Sequence, residues 1–164
     1  MNNKRQFSII GPGVMAEAII KGLLKNEVVE ASDILTAGPR QERLDELHKR
    51  YQVQTTLNNQ TSVIKADVVI LCIKPQKFPL VINEIRNQIP FGALVISIIA
   101  GATLDSLITG LNHNAVVRSM PNTPAQIGEG MTVWTHNQDL TEEHHALARQ
   151  ILGALGKEIF VSEE

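Results

Sequence analysis

Residues 7–16 read Phe-Ser-Ile-Ile-Gly-Pro-Gly-Val-Met-Ala. A short apolar run ends in Gly11 and Gly13, and residues 15–24, Met-Ala-Glu-Ala-Ile-Ile-Lys-Gly-Leu-Leu, carry apolar side chains at helical spacing. The stretch is a strand, a tight turn and a helix. At such a turn Gly11 bends the chain and Gly13 lets the backbone approach a pyrophosphate. Free amides and the positive end of the helix dipole then hold the anion. Ala16 stands where the Gly-x-Gly-x-x-Gly/Ala pattern accepts a small residue for close packing of helix on strand. The same pattern describes a plain glycine turn; its place between a strand and a helix favours the phosphate-binding reading.

Outward from that turn, strand and helix alternate. The first helix covers residues 14–26. Residues 33–37 form a second strand broken by Gly38-Pro39, and residues 41–51 a second helix with Leu44 and Leu47 on one face. A third strand at 53–56 and a short helix at 58–66 lead into residues 67–73. These are almost continuously apolar, as a central parallel strand covered on both faces requires. A helix at 78–88 turns Val81, Ile82, Ile85 and Ile89 inward, a fifth strand follows at 93–99, and Thr103 caps a helix to residue 111. A sixth strand at 115–118 precedes a proline-punctuated loop at 120–124. Residues 131–135 then alternate like an outer strand, Thr141 caps a helix to about residue 155, and residues 158–161 close as a last strand. This series, without repeat or linker, predicts an α/β fold of Rossmann type: a doubly wound, mostly parallel sheet of about eight strands with helices on both faces. Ligands on such a sheet bind beyond the carboxyl ends of the strands, beside strand one.

A chain of 164 residues suits one domain that buries about two thirds of its surface. With 15 Lys and Arg against 17 Asp and Glu, and no basic block, the footprint of a nucleic-acid or anionic-membrane binder is absent, and a small neutral-to-anionic ligand is the natural partner. The charged start, Met1 to Gln6, runs straight into a strand too short for a signal sequence or a membrane span, so a cytoplasmic protein is expected. Cys72 is the only cysteine, which excludes an internal disulfide or a thiolate metal cluster and reads as a buried small hydrophobe. His144 and His145 are adjacent on a helix, roughly 100° apart, and read as solvated. With His48, His113 and His136 scattered, no metal set is expected, and no Ser-His-Asp order appears.

The tip of the second strand decides which dinucleotide fits. An NAD site places a carboxylate there, whereas an NADP site uses small residues, hydroxyls or an arginine for the 2′-phosphate. The tip is Thr36-Ala37-Gly38-Pro39-Arg40, with an arginine and no acid; Asp33 begins the strand instead of ending it. NADP(H) is therefore preferred, NAD(H) remaining possible, with Arg40 as the phosphate ligand; the alternative is an ordinary charged residue in the first turn of its helix, where a cation sits slightly unfavourably against the dipole, a misfit that favours the ligand reading. Lys74-Pro75-Gln76 leaves the central strand where a cofactor would lie, though a proline also commonly starts a helix. Ser97-Ile98-Ile99-Ala100-Gly101 ends the next strand in small residues that suit either a flat ring or a flexible terminus. In the loop from Arg118 to Ala125, two prolines fix the backbone around Asn122 and Thr123; this suits either a site on the substrate side or a stiffened connection to the outer strands.

The chain resembles the amino-terminal, NADP-binding domain of pyrroline-5-carboxylate reductases. The matching pieces are residues 11–16, 74–76, 97–101 and 117–124, extending through Gly128-Glu129-Gly130-Met131-Thr132. The Met-Pro-Asn-Thr-Pro loop with Gly-Glu-Gly-Met-Thr is specific; the glycine turn is not. The resemblance implies pyrophosphate at Gly11, Pro12, Gly13, Val14, Met15 and Ala16, and the adenosine phosphate at Ala37, Gly38 and Arg40. It also implies the adenosine ribose at Asn59, and the nicotinamide end along Cys72, Ile73, Lys74, Pro75, Ile98, Ile99 and Ala100. Family members often carry a serine or asparagine near Gly38, whose absence shifts weight to Arg40. The implied reaction is hydride transfer from NADPH to 1-pyrroline-5-carboxylate, giving L-proline. Such enzymes continue beyond residue 164 into a helical domain that forms the homo-oligomer and supplies most of the substrate pocket. No catalytic residue is therefore expected within these 164 residues, which would be the cofactor half of a reductase. The alternative is a stand-alone dinucleotide-binding module, regulatory or partner-dependent. A third reading keeps the fold but places the chain among dehydrogenases that reduce deazaflavins or oxidise 3-hydroxy acids.

Overall fold

The structure is a computed structural model that describes residues 4–162. The readings of Met1 to Asn3, and of the last two positions, Glu163 and Glu164, lie outside the described residues. The strands are β1 (Phe7–Ile10), β2 (Ile34–Ala37), β3 (Gln54–Thr56), β4 (Val68–Leu71), β5 (Leu94–Ser97), β6 (Val116–Met120), β7 (Gly130–His136) and β8 (Gly156–Phe160). The helices are α1 (Val14–Lys25), α2 (Gln41–Tyr51), α3 (Asn59–Val63), α4 (Phe78–Ile85), α5 (Leu104–Leu111) and α6 (Glu142–Gly153). One sheet runs β3-β2-β1-β4-β5-β6-β7-β8. The first six strands in this order are parallel, β7 is antiparallel to β6, and β8 is parallel to β7. The strand order reverses at β1, which pairs Phe7 with Ile34 on one side and with Val68 on the other.

The central strands alternate between two cores, as the period of two demands. Val68 and Ile70 of β4 and Leu94 and Ile96 of β5 face a core with Ile19, Ile20 and Leu23 of α1 and Leu147, Ile151 and Leu152 of α6. Val69, Leu71 and Val95 face the second core, with Val81, Ile82 and Ile85 of α4 and Leu104, Leu107 and Leu111 of α5. Both faces are covered, and each of these large aliphatic side chains contributes about 1.5–3 kcal/mol by leaving water.

Thr103 and Thr141 cap their helices as expected: each hydroxyl accepts a backbone N–H, from Ser106 and His144, at 3.1 Å. Several boundaries differ. Asp33 lies in a 3-10 turn at Ala31–Asp33, ahead of β2, where its buried carboxylate accepts from Gln6 Nε2 at 2.9 Å. The third helix stops at Val63, and the fourth stops at Ile85 because Arg86 turns extended and Asn87 takes a left-handed φ of 63°. The stretch after Lys74 and the loop after β6 each fold into 3-10 turns, Pro75–Lys77 and Thr123–Ile127.

The two adjacent histidines are half-buried, not solvated. His145 Nδ1 lies 2.9 Å from His136 Nε2, and its ring packs 4.8 Å from that of Trp134, while His144 Nε2 lies 3.0 Å from the Gly92 carbonyl. Beyond β6 the sheet face opposite Trp134 is uncovered: Met120, Val133 and Ile159 sit side by side across β6, β7 and β8, each exposed. Among the described residues no helix is long and apolar enough to cross a membrane.

His113 is buried, and its Nε2–H donates to the Ala93 carbonyl at 2.6 Å. Burial lowers its pKa, opposed by that hydrogen bond and helped by nearby His144. Near pH 7 the neutral ring carries no penalty. As the pH falls through about 6.5, the unfolded chain takes up a proton that the folded chain resists, so stability declines. The urea midpoint is predicted to drop between about pH 7 and about pH 5, and to drop less in His113→Gln.

Candidate dinucleotide site

The turn after β1 is stitched between two neighbouring strand ends. The Gly11 N–H donates to the Ala37 carbonyl at 3.0 Å and the Cys72 N–H to the Ile10 carbonyl at 2.8 Å. Gly11 takes a φ of 94°, and a Cβ there would stand 2.8 Å from the carbonyl carbon and oxygen of Cys72. Dihedral and neighbour both require glycine. Gly13 differs: its φ is −87°, and a Cβ would meet nothing within 4 Å. Its bareness leaves room on the solvent side of the turn. Gly13 is the N-cap of α1 and offers no side-chain acceptor, so the first amides of a twelve-residue helix face outward. Val14 is exposed, Met15 partly buried, and Ala16 fully buried against the sheet, the packing role expected of it.

Beside this turn, Ala37 and Gly38 are buried at the end of β2. A Cβ on residue 38 would overlap Pro12 Cδ and lie 2.5 Å from Pro12 Cγ. The proline ring occupies the space that a serine or asparagine side chain would need. Arg40 is exposed and is the N-cap of α2, one residue ahead of the first turn where the sequence reading put it. Its carbonyl accepts from the Leu44 N–H at 3.2 Å, and its side chain makes no hydrogen bond or ion pair among the described residues.

A charge cluster absent from the sequence reading joins α1 to α2. Arg43 Nη2 donates to Glu17 at 2.6 Å and Nη1 to Glu46 at 2.7 Å, Arg50 bonds Glu17, and the Tyr51 hydroxyl donates to Glu17 at 2.8 Å. Burial alone would raise the Glu17 carboxyl, but hydrogen bonds from Arg43, Tyr51 and Arg50 outweigh it and bring its pKa to about 2. Arg43 also donates from Nε to the Pro12 carbonyl at 2.8 Å. The available signal was the spacing of Arg43, Glu46 and Arg50, which puts all three on one face of α2.

Between the tips of β1 and β2 and helices α3 and α4 lies a cleft of about 640 Å³, within the usual range for a small-molecule site. Its walls include Gly11, Gly38, Pro39 and the exposed side chains of Leu57 and Leu80; Asn59 and Glu84 meet in it. Asn59 Nδ2 donates to Glu84 at 2.7 Å, so the pair, not Asn59 alone, faces the cleft. Nothing local in the sequence around Glu84 announced that pairing. A larger hollow of about 1100 Å³, lined by Lys4, Arg5, Glu27 and Glu30, lies at the opposite edge, away from the helix N-terminus.

At the far side of the turn, Lys74 and Pro75 are exposed, and Ile73 packs on the core while lining the cleft. Cys72 is only partly buried as a residue, and desolvation pushes its enclosed thiol up, away from the thiolate form. Ala100 is exposed and Ile98 partly buried, but Ile99 is sunk in the second core, so only its backbone can line the edge. The Ser97 hydroxyl accepts from the Ile99 N–H at 3.1 Å, and the Ser119 hydroxyl donates to the Ser97 carbonyl at 3.0 Å. These bonds fix the end of β5. Asn122 and Thr123 are exposed on the same edge, with the Asn122 side-chain oxygen accepting from the Met131 N–H at 2.9 Å. That bond supports the stiffened-connection reading of the loop and leaves the Asn122 amide nitrogen and the Thr123 hydroxyl toward solvent.

The contact between Pro12 and Gly38 makes a sharp prediction. Gly38→Ala should lower stability to urea by about 1–3 kcal/mol through overpacking. Pro12→Ala deletes the two ring atoms in conflict, so the double variant should recover most of that loss, a coupling read from a double-mutant cycle.

The family model described as NADP oxidoreductase, coenzyme F420-dependent, matches residues 6–101, which hold the glycine turn, the cleft and the ends of β4 and β5. Pyrroline-5-carboxylate reductase of Synechocystis sp. is 37% identical over 161 residues, covering 96% of this chain and 59% of that protein. A solved pyrroline-5-carboxylate reductase from Coxiella burnetii superposes with a TM-score of 0.89 at 30% identity, over 99% of this chain and 60% of that one. The fold is also that of Plasmodium falciparum pyrroline carboxylate reductase with NADP bound, at a TM-score of 0.85 and 22% identity, over 98% of this chain and 58% of that one. The chain thus spans about three fifths of the length of the relatives it matches. With a match over more than half its residues, the chain belongs to the NADP oxidoreductase, coenzyme F420-dependent family.

Proposed function

We propose that this chain is the cofactor-binding part of a pyrroline-5-carboxylate reductase, which reduces 1-pyrroline-5-carboxylate to L-proline with NADPH. The observation that carries the cofactor reading is the uncapped N-terminus of α1, set at the switch point beside an open glycine, with the exposed cation Arg40 at the cap of α2, just beyond the neighbouring strand β2. The reductase reading is supported by relatives whose similarity covers 96% of the chain and so includes the loop after β6, beyond the reach of the family model.

The residues fit a dinucleotide. The outward amides at Val14 and Met15 suit a pyrophosphate, Arg40 a 2′-phosphate, and the cleft at Asn59 and Glu84 an adenosine. The backbone of Cys72 to Pro75 and of Ile98 to Ala100 borders the nicotinamide end, with Asn122 and Thr123 toward substrate. When bound, NADPH supplies a hydride for the C=N carbon. This chain's contribution is to bind, to orient and to neutralise phosphate charge. Residues 1–164 act as one dinucleotide-binding domain, in a cytoplasmic biosynthetic enzyme. The proton for the imine nitrogen, most of the substrate pocket and the contacts of a homo-oligomer come from a helical domain in the part of such enzymes that this chain does not span.

Calorimetric titration tests the reading. The chain is expected to bind NADPH saturably and more tightly than NADH, with reductase turnover very slow or absent. Arg40→Ala should erase the preference, a loss of roughly tenfold to a hundredfold for NADPH alone, as one charge-assisted phosphate contact implies. Failure of the wild-type chain to bind either nucleotide would overturn the reading.

A further inference from the structure

Arg43 sits on α2, three residues after the helix cap Arg40, with its side chain only 14% exposed. Its nitrogens are engaged inside the protein: Nε with the Pro12 carbonyl at 2.8 Å, Nη1 with Glu46 at 2.7 Å, and Nη2 with Glu17 at 2.6 Å and the Gly13 carbonyl at 3.3 Å. A guanidinium has five N–H donors, and these bonds occupy four. Glu17 and Glu46 also balance the charges of Arg43 and Arg50. Arg43 therefore has little donor capacity and little net field to offer an incoming phosphate.

What it fixes is direction. In a trans peptide the carbonyl and the following N–H point opposite ways, and no cis peptide occurs among the described residues. Arg43 Nε holds the Pro12 carbonyl against α2 and so turns the Gly13 amide away from it, and the Gly13 carbonyl, shared between Arg43 Nη2 and the Glu17 N–H at 3.1 Å, turns the Val14 amide away from both. The Gly13 N–H is taken by the Gly11 carbonyl at 2.8 Å, which leaves Val14 as the first amide open to a ligand. The same bonds hold the first turn of α2, and with it Arg40, at a set place beside the turn. We propose that Arg43 is a positioning residue of the dinucleotide site: it aims the amides of the glycine turn and fixes Arg40 relative to them. The inference rests on the NADP(H) reading of the site.

The test is titration of the whole chain with NADPH and NADH for wild type, Arg43→Ala, Arg43→Lys and Tyr51→Phe, each with its melting temperature. Arg43→Ala is expected to weaken NADH about tenfold or more, and NADPH further, so that the ratio of the two affinities shrinks toward one. Arg43→Lys keeps the charge but not the planar fork, and should restore neither. Tyr51→Phe removes a bond to Glu17 on the side away from the turn; it should lower the melting temperature and leave both affinities unchanged. A folded Arg43→Ala with wild-type affinity for NADH, rescue by lysine, or a Tyr51→Phe variant that loses binding in step with stability would each overturn the proposal. Should Arg43→Ala not fold, Arg43→Lys against wild type decides. If wild type binds NADPH and the Arg43 variants match it, only the role of Arg43 falls. If wild type binds neither nucleotide, the site reading falls as well.

Discussion

One backbone contact sets the geometry of this protein: the Cα of Gly11 lies so close to the carbonyl of Cys72 that no side chain fits between them. Because β1 and β4 are adjacent parallel strands, their ends must pass each other at the point where the strand order reverses. The contact brings α1 down onto the sheet with its N-terminus over that point. Ala16 then buries fully, Ile19, Ile20 and Leu23 reach the core, and the uncapped first turn is left at the edge where ligands of such sheets bind. Core and site are thus two results of one close approach.

A second contact system fixes what the turn can recognise. The Pro12 ring lies where a side chain at position 38 would go, so the tip of β2 presents backbone where a hydroxyl or amide could otherwise stand. The first charged side chain beyond that tip is Arg40, which is exposed, and the proposed phosphate contact rests on it. The balanced cluster of Glu17, Arg43, Glu46 and Arg50 holds α2 against the turn without adding net charge. In the proposed site, recognition and rigidity thus fall to different arginines, one at the cap of α2 and one in its first turn.

Much of this was legible in the sequence. Apolar runs of period two and 3.6 gave eight strands and six helices in order, because burial on two faces leaves that pattern. Thr103 and Thr141 announced their caps, and the glycine turn announced the edge where the helix N-terminus is open. The 3-10 turns were not legible, since three to five residues carry no period. Ile99 was read as bordering a flat ring through its backbone, and the register that sends its side chain into the second core leaves only that backbone at the edge. His145 was read as solvated because a helix face says nothing of what packs on it; Trp134 and His136 arrive from β7, which runs antiparallel. Arg43 and Glu84 escaped for the same reason. Their partners, Pro12 and Asn59, lie more than twenty residues away.

The reversal at β7 has a practical geometric result. Since β7 and β8 run opposite to β1, the end of β8 lies at the same edge of the sheet as the start of β1, and the open end of α1 lies at the other. A tether, dye or sensor surface attached near Arg5 or near Val161 would hold the molecule by its back and present the edge with the glycine turn to solution. The architecture thus offers two attachment points with one common orientation.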